Sequence, residues 1–383
     1  MRILLIGEFS RLHNSLKEGL VTLGHEVVLI NNGDGFKNYP SDYSNRAVWC
    51  ESKLGNIPRQ IIYRLTKFDI SKIERGIRFY FHLNKLKNFD VVQLINEAPI
   101  QTIQKFEFYL LKKIFKQNEK VFLLCCGVDY ITMNHMLQKK ERYSIMNPYF
   151  EKITKAKNQY EYMFDFINKN HKKIHDLIYK NIVGVIASDL DYVNPLKRNP
   201  KFLGLIPNPI NLAKIECENL DISGKVNIFL GINSGNSFKK GVHFFEKALT
   251  IIAEKYKEKV NIQITTDIPY KEYISIYDDC HILLDQVYGY DQGYNALEAM
   301  AKGKVVFTGA DREFLDYYNL NEDEVAINAL PDVDYLVKKL SFLIENPPKL
   351  IEIGQKASEF VKREHNYVKI ASTYLDKWNS IKN

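Results

Sequence analysis

The sequence predicts an α/β protein built from two doubly wound, Rossmann-like domains. Short, nearly continuous apolar segments alternate with helical segments, and the alternation starts again after about residue 209. Apolar strands of this kind are typical of parallel sheets that helices cover on both faces. The length of 383 residues with 45% hydrophobic content also favours two domains, because single cores stop growing near ~250 to 300 residues.

The first half of the chain begins with a strand, a helix and a second strand. RILLIG precedes a helical stripe of leucines, with Ser10 as candidate N-cap and Gly24 as candidate C-cap, and EVVLI follows. DVVQLI, VFLLCC and VGVIAS continue the series of strands. Residues 131–180 contain no glycine and predict one or two long helices that cap a binding cleft.

A second series follows the segment IPNPIN at 206–211. Its predicted strands are VNIFLG, VNIQITT, HILLDQ, KVVFTG and EVAIN. One of its helices is well marked, because Asp332 can cap its N-terminus and apolar residues follow at helical spacing. We therefore assign residues 1–208 to an N-terminal domain and 209–365 to a C-terminal domain, with a last helix at 366–383 that packs back on the first.

Composition narrows the class of protein. No run of about 18 apolar residues occurs, and the N-terminus lacks the features of a signal peptide. Five cysteines show no paired metal spacing, so we expect a cytoplasmic protein with reduced thiols. The net charge of +7 is mild, and we expect no nucleic-acid partner.

The positive charge is unevenly distributed. The segment 53–87 contains nine Lys or Arg residues and two Asp or Glu residues. It faces an anionic surface, or it is the ordinary solvated face of a helix in a lysine-rich chain.

The segment GYDQGYNALEAMAKGK at 289–304 follows a predicted strand, where ligands bind in open parallel sheets. Gly293 permits a tight turn, and the helix that begins there, with Tyr294 and Asn295 in its first turn, presents free N–H groups that suit a diphosphate. Glu298 lies one turn further on, within reach of sugar hydroxyls. The alternative is a salt bridge from Glu298 to a core Lys or Arg.

Four segments resemble, in order and spacing, the nucleotide-binding half of the GT-B glycosyltransferases of family four. They are IPNPIN, GINSGNSFKKG, IPYKEYISIYDDCHILLDQ and ALEAMAKGKVVFTG. The resemblance covers most of residues 204–345, and the first domain matches more loosely. It implies a GT-B fold with a central cleft, an N-terminal acceptor domain, and a C-terminal domain that binds a UDP- or GDP-linked sugar as substrate, with no other cofactor.

The resemblance also implies roles for single residues. Glu298 takes the place of the second Glu of an E-x7-E motif, which holds the ribose hydroxyls. Lys240 matches a Lys before Gly that contacts the diphosphate, with Lys239 beside it; a solvated, basic helix start is the alternative. A cation there is physically reasonable, because the leaving diphosphate gains negative charge.

Two positions depart from the family pattern. Tyr290 stands where the family has the first Glu, which contacts the donor sugar. The adjacent Asp291 or Asp285 could replace that acid, and we take Asp291, together with Asp129, as a candidate catalytic residue. Ile232 and Asn233 stand where the family has the Arg of a GRL loop; we include Asn233 among the donor-binding residues. These departures leave the stereochemistry of transfer open.

Polar residues after strands of the first domain are candidates for the acceptor side. Ser10, Arg11 and Asn14 follow the first strand, and Asn96 follows another. Asp129 follows VFLLCC and a glycine, where a carboxylate can take a proton from an acceptor hydroxyl. The alternatives are a helix N-cap for Asp129 and a local ion pair for Arg11.

The sequence thus predicts a glycosyltransferase that transfers a sugar to a glycan or polyprenyl-linked acceptor in bacterial surface polysaccharide or glycoconjugate synthesis. We expect no metal, because the D-x-D of Asp189 and Asp191 is a short match outside the donor half. Peripheral contact with the inner face of the membrane would run through residues 53–87. A nucleotide-sugar epimerase and a non-catalytic nucleotide-sugar-binding subunit are the alternatives.

Overall fold

The computed structural model describes residues 1–215, 217 and 220–381, and it contains two compact α/β units. The first comprises Met1–Asn134, Met163–Pro209 and Tyr367–Asn383, and the second comprises His135–Tyr162 and Ile210–Asn366. Residues 135–162, which the sequence led us to assign to the first domain, belong to the second unit. None of the described helices is long and apolar enough to cross a bilayer.

The strands form two sheets and are numbered along the chain. They are β1 (Arg2–Ile6), β2 (Glu26–Asn31), β3 (Tyr43–Ser44), β4 (Val91–Leu94), β5 (Lys120–Cys125), β6 (Gly184–Ala187), β7 (Phe202–Leu205), β8 (Val226–Ile232), β9 (Val260–Thr266), β10 (Ile282–Leu284), β11 (Val305–Thr308) and β12 (Ile327–Asn328).

Helices connect the strands and cover the sheets. The α-helices are α1 (Leu12–Thr22), α2 (Val48–Glu51), α3 (Lys53–Thr66), α4 (Ser71–His82), α5 (Gln104–Gln117), α6 (Tyr130–Leu137), α7 (Asn147–Phe150), α8 (Glu161–Phe164), α9 (Lys169–Asn181), α10 (Val193–Leu196), α11 (Val242–Lys255), α12 (Tyr270–Asp279), α13 (Tyr294–Ala301), α14 (Arg312–Tyr318), α15 (Val333–Glu345), α16 (Pro347–Glu364) and α17 (Tyr367–Ser380). Short 3₁₀ helices lie at Gly35–Lys37, Leu83–Lys85, Thr154–Gln159, Asp165–Ile167, Leu190–Tyr192 and Leu212–Lys214.

The sheet of the first unit has the order β3-β2-β1-β4-β5-β6-β7, and all its pairs are parallel. Its central strands are buried on both faces, as their apolar sequences predict. The last helix, α17, packs on α1 so closely that a Cβ at Gly19 would lie 2.3 Å from the carbonyl oxygen of Tyr367. This contact explains why a glycine interrupts the leucine stripe of α1.

The sheet of the second unit has the order β12-β11-β10-β8-β9 and is also parallel. Counted within this unit, the order is 2-1-3-4-5, so the connections change direction between β8 and β10. Ligands in such sheets bind beyond the carboxyl ends of the two strands at this switch point. The edge strand β9 is mostly exposed, unlike the other strands of this sheet.

Three local predictions can be compared with the structure. Asp332 caps α15 by accepting a hydrogen bond from the N–H of Tyr335 at 3.0 Å, as predicted. Ser10 does not cap α1: residue 11 occupies the N-cap position and makes no side-chain cap. Residues 131–180 form several short helices instead of one or two long ones, because turns such as that at Ser144 interrupt the helical pattern.

Candidate functional site

An ion pair joins the loops at the switch point of the second sheet. The ammonium of Lys240 lies 2.7 Å from Oδ1 of Asp285, which follows β10 and is only 3% exposed. The N–H of Val287 donates to the carbonyl of Lys240 at 3.0 Å. Gly241 has a φ of +67°, and a Cβ there would lie 2.2 Å from the side chain of Val287. Glycine at position 241 is therefore required for this close approach of the two loops.

The neighbouring Lys239 points into a cavity instead. The cavity has a volume of about 440 Å³ and is lined by Lys155, Asn158, Gln159, Tyr162, Ser234, Gly235, Asn236 and Lys239. The Lys239 ammonium donates to the Tyr162 hydroxyl at 3.1 Å and lies 4.6 Å from the centre of its ring. No carboxylate of the described chain pairs with it, and the residue is 6% exposed.

The charge of Lys239 is costly in this position. Burial lowers the pKa of its ammonium to about 8. A buried cation without a carboxylate partner is unfavourable by itself, and an anion that enters the cavity would compensate for the lost solvation. Lys239, rather than Lys240, is thus the lysine that is available to a phosphate.

Residues 155–162 complete the wall of the cavity. The side chain of Gln159 donates to the carbonyl of Ser234 at 2.5 Å, and its oxygen accepts from the N–H of Phe238 at 3.1 Å. This segment thus holds the loop that follows β8. Sequence analysis missed its contribution, because nothing in the spacing of KNQYEY indicates which distant loop it contacts.

The N-terminus of α13 lies at the same edge of the sheet. Gly293 is the N-cap, no side chain caps the helix, and a Cβ at Gly293 would meet no atom within 4 Å. The side chain of Asn295 donates to Asp285 at 3.3 Å and accepts from the hydroxyl of Tyr273 at 2.9 Å. There is thus open space beside Gly293, and Asn295 links the first turn of α13 to the Lys240–Asp285 pair.

Glu298 and Tyr294 lie on the first two turns of α13. Tyr294 is buried, and Glu298 is half-buried. Burial, and then the charge of Glu298, raises the pKa of the Tyr277 hydroxyl well above its usual range. The Tyr277 hydroxyl therefore stays protonated near neutral pH.

Asp291, a candidate catalytic residue, and Asn233, a candidate donor-binding residue, lie in hydrogen-bonded turns. Asp291 is buried, and its carboxylate accepts from the N–H of Gln292 at 2.8 Å. A Cβ at Gly309 would lie 2.6 Å from the backbone of Asp291, so this loop packs tightly against β11. Asn233 is exposed and accepts from the N–H of Gly235 at 2.9 Å.

Tyr290, which stands in place of an acid, has a structural role. Its ring stacks on Tyr143 with centroids 4.7 Å apart and an interplanar angle of 7°. Its hydroxyl donates to the carbonyl of Tyr143 at 3.1 Å and accepts from the N–H of the same residue at 3.2 Å. Arg142 adds a 3.0 Å ion pair with Asp311. These contacts explain why residues 135–162 belong to the second unit.

In the first unit, the predicted acceptor residues surround the end of β1. Arg11 is paired with Glu18 at 2.9 Å, and the N–H of Ser10 donates to Asp34 at 2.9 Å. Ser10 and Arg11 have φ values of 50° and 75°, a rare left-handed conformation for side chains of their size. The side chain of Asn14 donates to Glu8 at 2.6 Å.

Glu8 was missed by the sequence analysis and explains the start of α1. Its carboxylate accepts from the N–H groups of His13 and Asn14 at 3.2 and 2.9 Å, and so it caps the helix from four residues before its start. Burial raises the pKa of Glu8 to about 7.

Asp129 is buried and acts as a helix cap in this structure. Its carboxylate accepts from the N–H and hydroxyl of Thr132 at 2.7 and 2.9 Å and from the thiol of Cys125 at 3.0 Å. Burial raises the pKa of Asp129 to about 6. Asn96 makes a turn by accepting from the N–H of Ala98 at 2.9 Å. Similarly, Asp189 of the D-x-D accepts from the N–H of Asp191 at 2.9 Å.

A buried acid between two histidines lies next to these residues. Glu97 accepts hydrogen bonds from His171 at 2.8 Å and His175 at 2.7 Å. Despite burial, the hydrogen bonds from the two imidazoles lower the pKa of Glu97. The spacing of four residues between the histidines on α9 is the sequence pattern that could have pointed to this cluster.

Comparisons with known proteins agree with this architecture. Residues 239–376 match the glycosyl transferase-like family. Among solved structures, sucrose-phosphate synthase from Thermosynechococcus elongatus has a TM-score of 0.62 at 14% identity, covering 99% of this chain and 98% of that chain. Anabaena HepE in complex with UDP and glucose has a TM-score of 0.60 at 11% identity, with 100% of both chains covered.

A glycosyltransferase from Rickettsia africae has a TM-score of 0.54 at 14% identity, with 99% of this chain and 97% of that chain covered. No curated protein sequence matches the chain significantly. The structural matches show that the chain has the GT-B fold. The match to the glycosyl transferase-like family falls largely within the region in which the sequence resembles GT-B glycosyltransferases, and the fold agrees with that resemblance.

Proposed function

We propose that the protein transfers a sugar from a nucleoside-diphosphate sugar to a glycan or polyprenyl-linked acceptor, without a metal ion. The observation that carries this proposal is the cavity around Lys239. It presents a buried, uncompensated ammonium at the switch point of the second sheet, where this fold class binds ligands. The Anabaena HepE structure contains UDP and glucose, which favours UDP as the nucleotide.

In this proposal the diphosphate lies between Lys239 and the first turn of α13. The ammonium and the positive end of the α13 helix dipole are favourable partners for phosphate oxygens. They would stabilise the negative charge that develops on the leaving nucleoside diphosphate. A metal ion would then not be needed for this purpose. Lys240 and Asp285 would hold the loop in place, since their charges are paired with each other.

Glu298 is proposed to bind the ribose. It lies one turn after Tyr294, and the Cα–Cβ bonds of a helix tilt toward its N-terminus, where we propose that the diphosphate binds. Asp291 remains a candidate catalytic residue, and Asn233 a candidate donor contact. Ser10, Arg11, Asn14 and Asn96 remain candidates for binding the acceptor, with Asp129 as its base.

The proposed acceptor also suggests where the enzyme acts in the cell. A polyprenyl-linked acceptor would place the enzyme on the inner face of the membrane, and bacterial surface polysaccharide or glycoconjugate synthesis is the role that we propose. The basic composition of residues 53–87 supports it.

A thermal-shift screen against UDP, GDP, CMP and their sugars tests donor binding. A nucleotide that binds the folded protein raises its melting temperature with ligand concentration. Replacing Glu298 by Ala should lower the affinity for the nucleotide without abolishing the response to diphosphate. Equal affinities in wild type and variant would assign Glu298 to a structural role.

A second candidate function is a non-catalytic, nucleotide-sugar-binding subunit. The structural use of Tyr290, in place of an acid that contacts the donor sugar, favours it. Saturable donor binding with no release of nucleotide in the presence of glycan and lipid-linked acceptors would support this alternative. Release of free nucleotide without any acceptor would instead indicate an epimerase.

A further inference from the structure

Helix α3 carries an apolar stripe that faces solvent. Leu54, Ile57, Ile61 and Leu65 are spaced three or four residues apart and so share one helix face. Their side chains are 84%, 62%, 54% and 80% exposed. Among the described residues of α3, Gly55 alone is buried. The amphipathic pattern of α3 therefore does not serve the core of its own domain.

The neighbouring helices also carry exposed apolar residues. Trp49 of α2 is 57% exposed and Phe81 of α4 is 74% exposed. Helix α3 packs on α2 so closely that a Cβ at Gly55 would lie 2.0 Å from the carbonyl oxygen of Trp49. We call residues 48–81 the α2–α4 surface. Single exposed apolar residues are common, but a group of this size on consecutive elements is typical of an interaction site.

The charges around this surface are almost entirely positive. Its two acids after α2, Asp69 and Glu74, are paired with Arg59 and Arg78, each at 2.7 Å. Six cations between residues 53 and 87 are exposed and form no ion pair within the described chain: Lys53, Arg64, Lys67, Lys72, Lys85 and Lys87. At 100° per residue, Lys53 and Arg64 lie along one edge of the apolar stripe of α3.

We propose that the α2–α4 surface docks on an anionic phospholipid bilayer. Helix α3 would lie in the plane of the interface, with its apolar stripe among the acyl chains and the flanking cations at the headgroups. The unpaired positive charges favour an anionic bilayer over a second copy of the chain, because two copies that met through this surface would bring like charges together. The proposal is independent of the donor site, and its test needs no nucleotide.

Co-sedimentation with vesicles tests the proposal on the full chain. We expect the protein to pellet with vesicles of phosphatidylcholine and phosphatidylglycerol, and to be released at high salt, because screening weakens attraction to anionic headgroups. Vesicles of phosphatidylcholine alone should bind it much more weakly. Equal binding to both kinds of vesicle, or none to either, would overturn the proposal.

Tryptophan fluorescence locates the contact. The chain has two tryptophans, and Trp378 is fully buried whereas Trp49 is exposed. Anionic vesicles should shift the emission to shorter wavelength, and brominated lipids should quench it, because Trp49 enters the interface. Replacing Trp49 by Phe should remove both effects and leave the emission of Trp378 unchanged.

A set of variants separates the lipid surface from other occupants. Replacing Leu54, Ile61 and Leu65 by Ser should reduce partition into anionic vesicles by about tenfold or more. The matched control replaces Val21, Ile251 and Phe342, exposed apolar residues elsewhere, by Ser and should bind like wild type. Both variants should melt like wild type, because the changed side chains are exposed.

Light scattering completes the test. If wild type is a dimer that the α3 variant converts to a monomer, and vesicles bind neither, the surface belongs to a second copy and the lipid proposal is wrong. Loss of nucleotide binding in either variant is not expected. A failed donor screen together with intact vesicle binding would count against the proposed function alone.

Discussion

The pH dependence of donor binding is the sharpest test of the role of Lys239. In the unliganded protein, burial lowers the pKa of this lysine to about 8. A bound diphosphate favours the ammonium and therefore raises this pKa. Affinity should then be full below pH 8 and fall as pH rises through 8 toward the pKa of the bound state.

The magnitude follows from the fraction of charged lysine. With a pKa of about 8, roughly 90% of the free protein carries the ammonium at pH 7 and roughly 10% at pH 9. If the pKa of Lys239 in the complex lies well above 9, the affinity for the nucleotide sugar falls about tenfold between pH 7 and 9. This change corresponds to ~1.4 kcal/mol of binding free energy. Replacing Lys239 by Arg should retain binding and flatten the profile, because guanidinium stays charged.

Isothermal titration calorimetry with UDP-glucose at several pH values between 7 and 9 measures this effect. A nucleotide sugar is preferable to UDP, since its diphosphate lacks the terminal ionisation that would add its own pH dependence. Replacing Lys239 by Gln should lower the affinity at pH 7 and remove the slope. Replacing the exposed Lys247 by Gln is the matched control. A flat wild-type profile, or an unchanged slope in the Gln variant, would refute the assignment of Lys239.

Three further outcomes are expected. Replacing Tyr290 by Ala should lower the free energy of unfolding by about 3–5 kcal/mol, whereas replacing it by Phe should lower it by only about 1 kcal/mol, because Phe keeps the stacked ring. Urea denaturation measures both values, and an equal loss in the two variants would contradict a stabilising role of the ring stacking. Replacing Asp129 by Ala should cost about 1 kcal/mol through the lost cap, whereas Asn keeps a capping oxygen; normal turnover in the Asn variant would remove Asp129 as a base. Because the pKa of Glu8 rises to about 7 on folding, its contribution to stability is complete below about pH 4.5 and is lost as pH rises through 7. Replacing Glu8 by Gln should therefore reduce the fall in unfolding free energy between pH 5 and 8, and unchanged slopes in the two proteins would show that this group does not titrate as described.

Local patterns predicted much of the fold. The alternation of apolar strands and helices indicated two parallel sheets, and the cap of α15 followed from Asp332 alone. Such features depend on residues within one or two turns of each other, so spacing is enough to reveal them. The prediction that Ser10 caps α1 was wrong. Glu8 caps this helix instead, and it lies further from the helix start than the usual N-cap position does.

The candidate site depended on contacts that spacing does not encode. Lys239 and Lys240 are neighbours of identical type, yet one ammonium is paired with Asp285 and the other lines a cavity. In the sequence, Tyr290 stands where the resembling family has an acid. In the structure, its ring stacks on Tyr143 and so holds residues 135–162 against the rest of the second unit.

By itself, then, the sequence determined the class of fold, the region that matches glycosyl transferases and the basic character of residues 53–87. Only the tertiary structure decided which lysine is left uncompensated, which residues wall its cavity and which apolar side chains of α3 stay exposed. The reason is physical: periodicity records the conformation of one segment, whereas desolvation and charge pairing depend on residues brought together from distant parts of the chain.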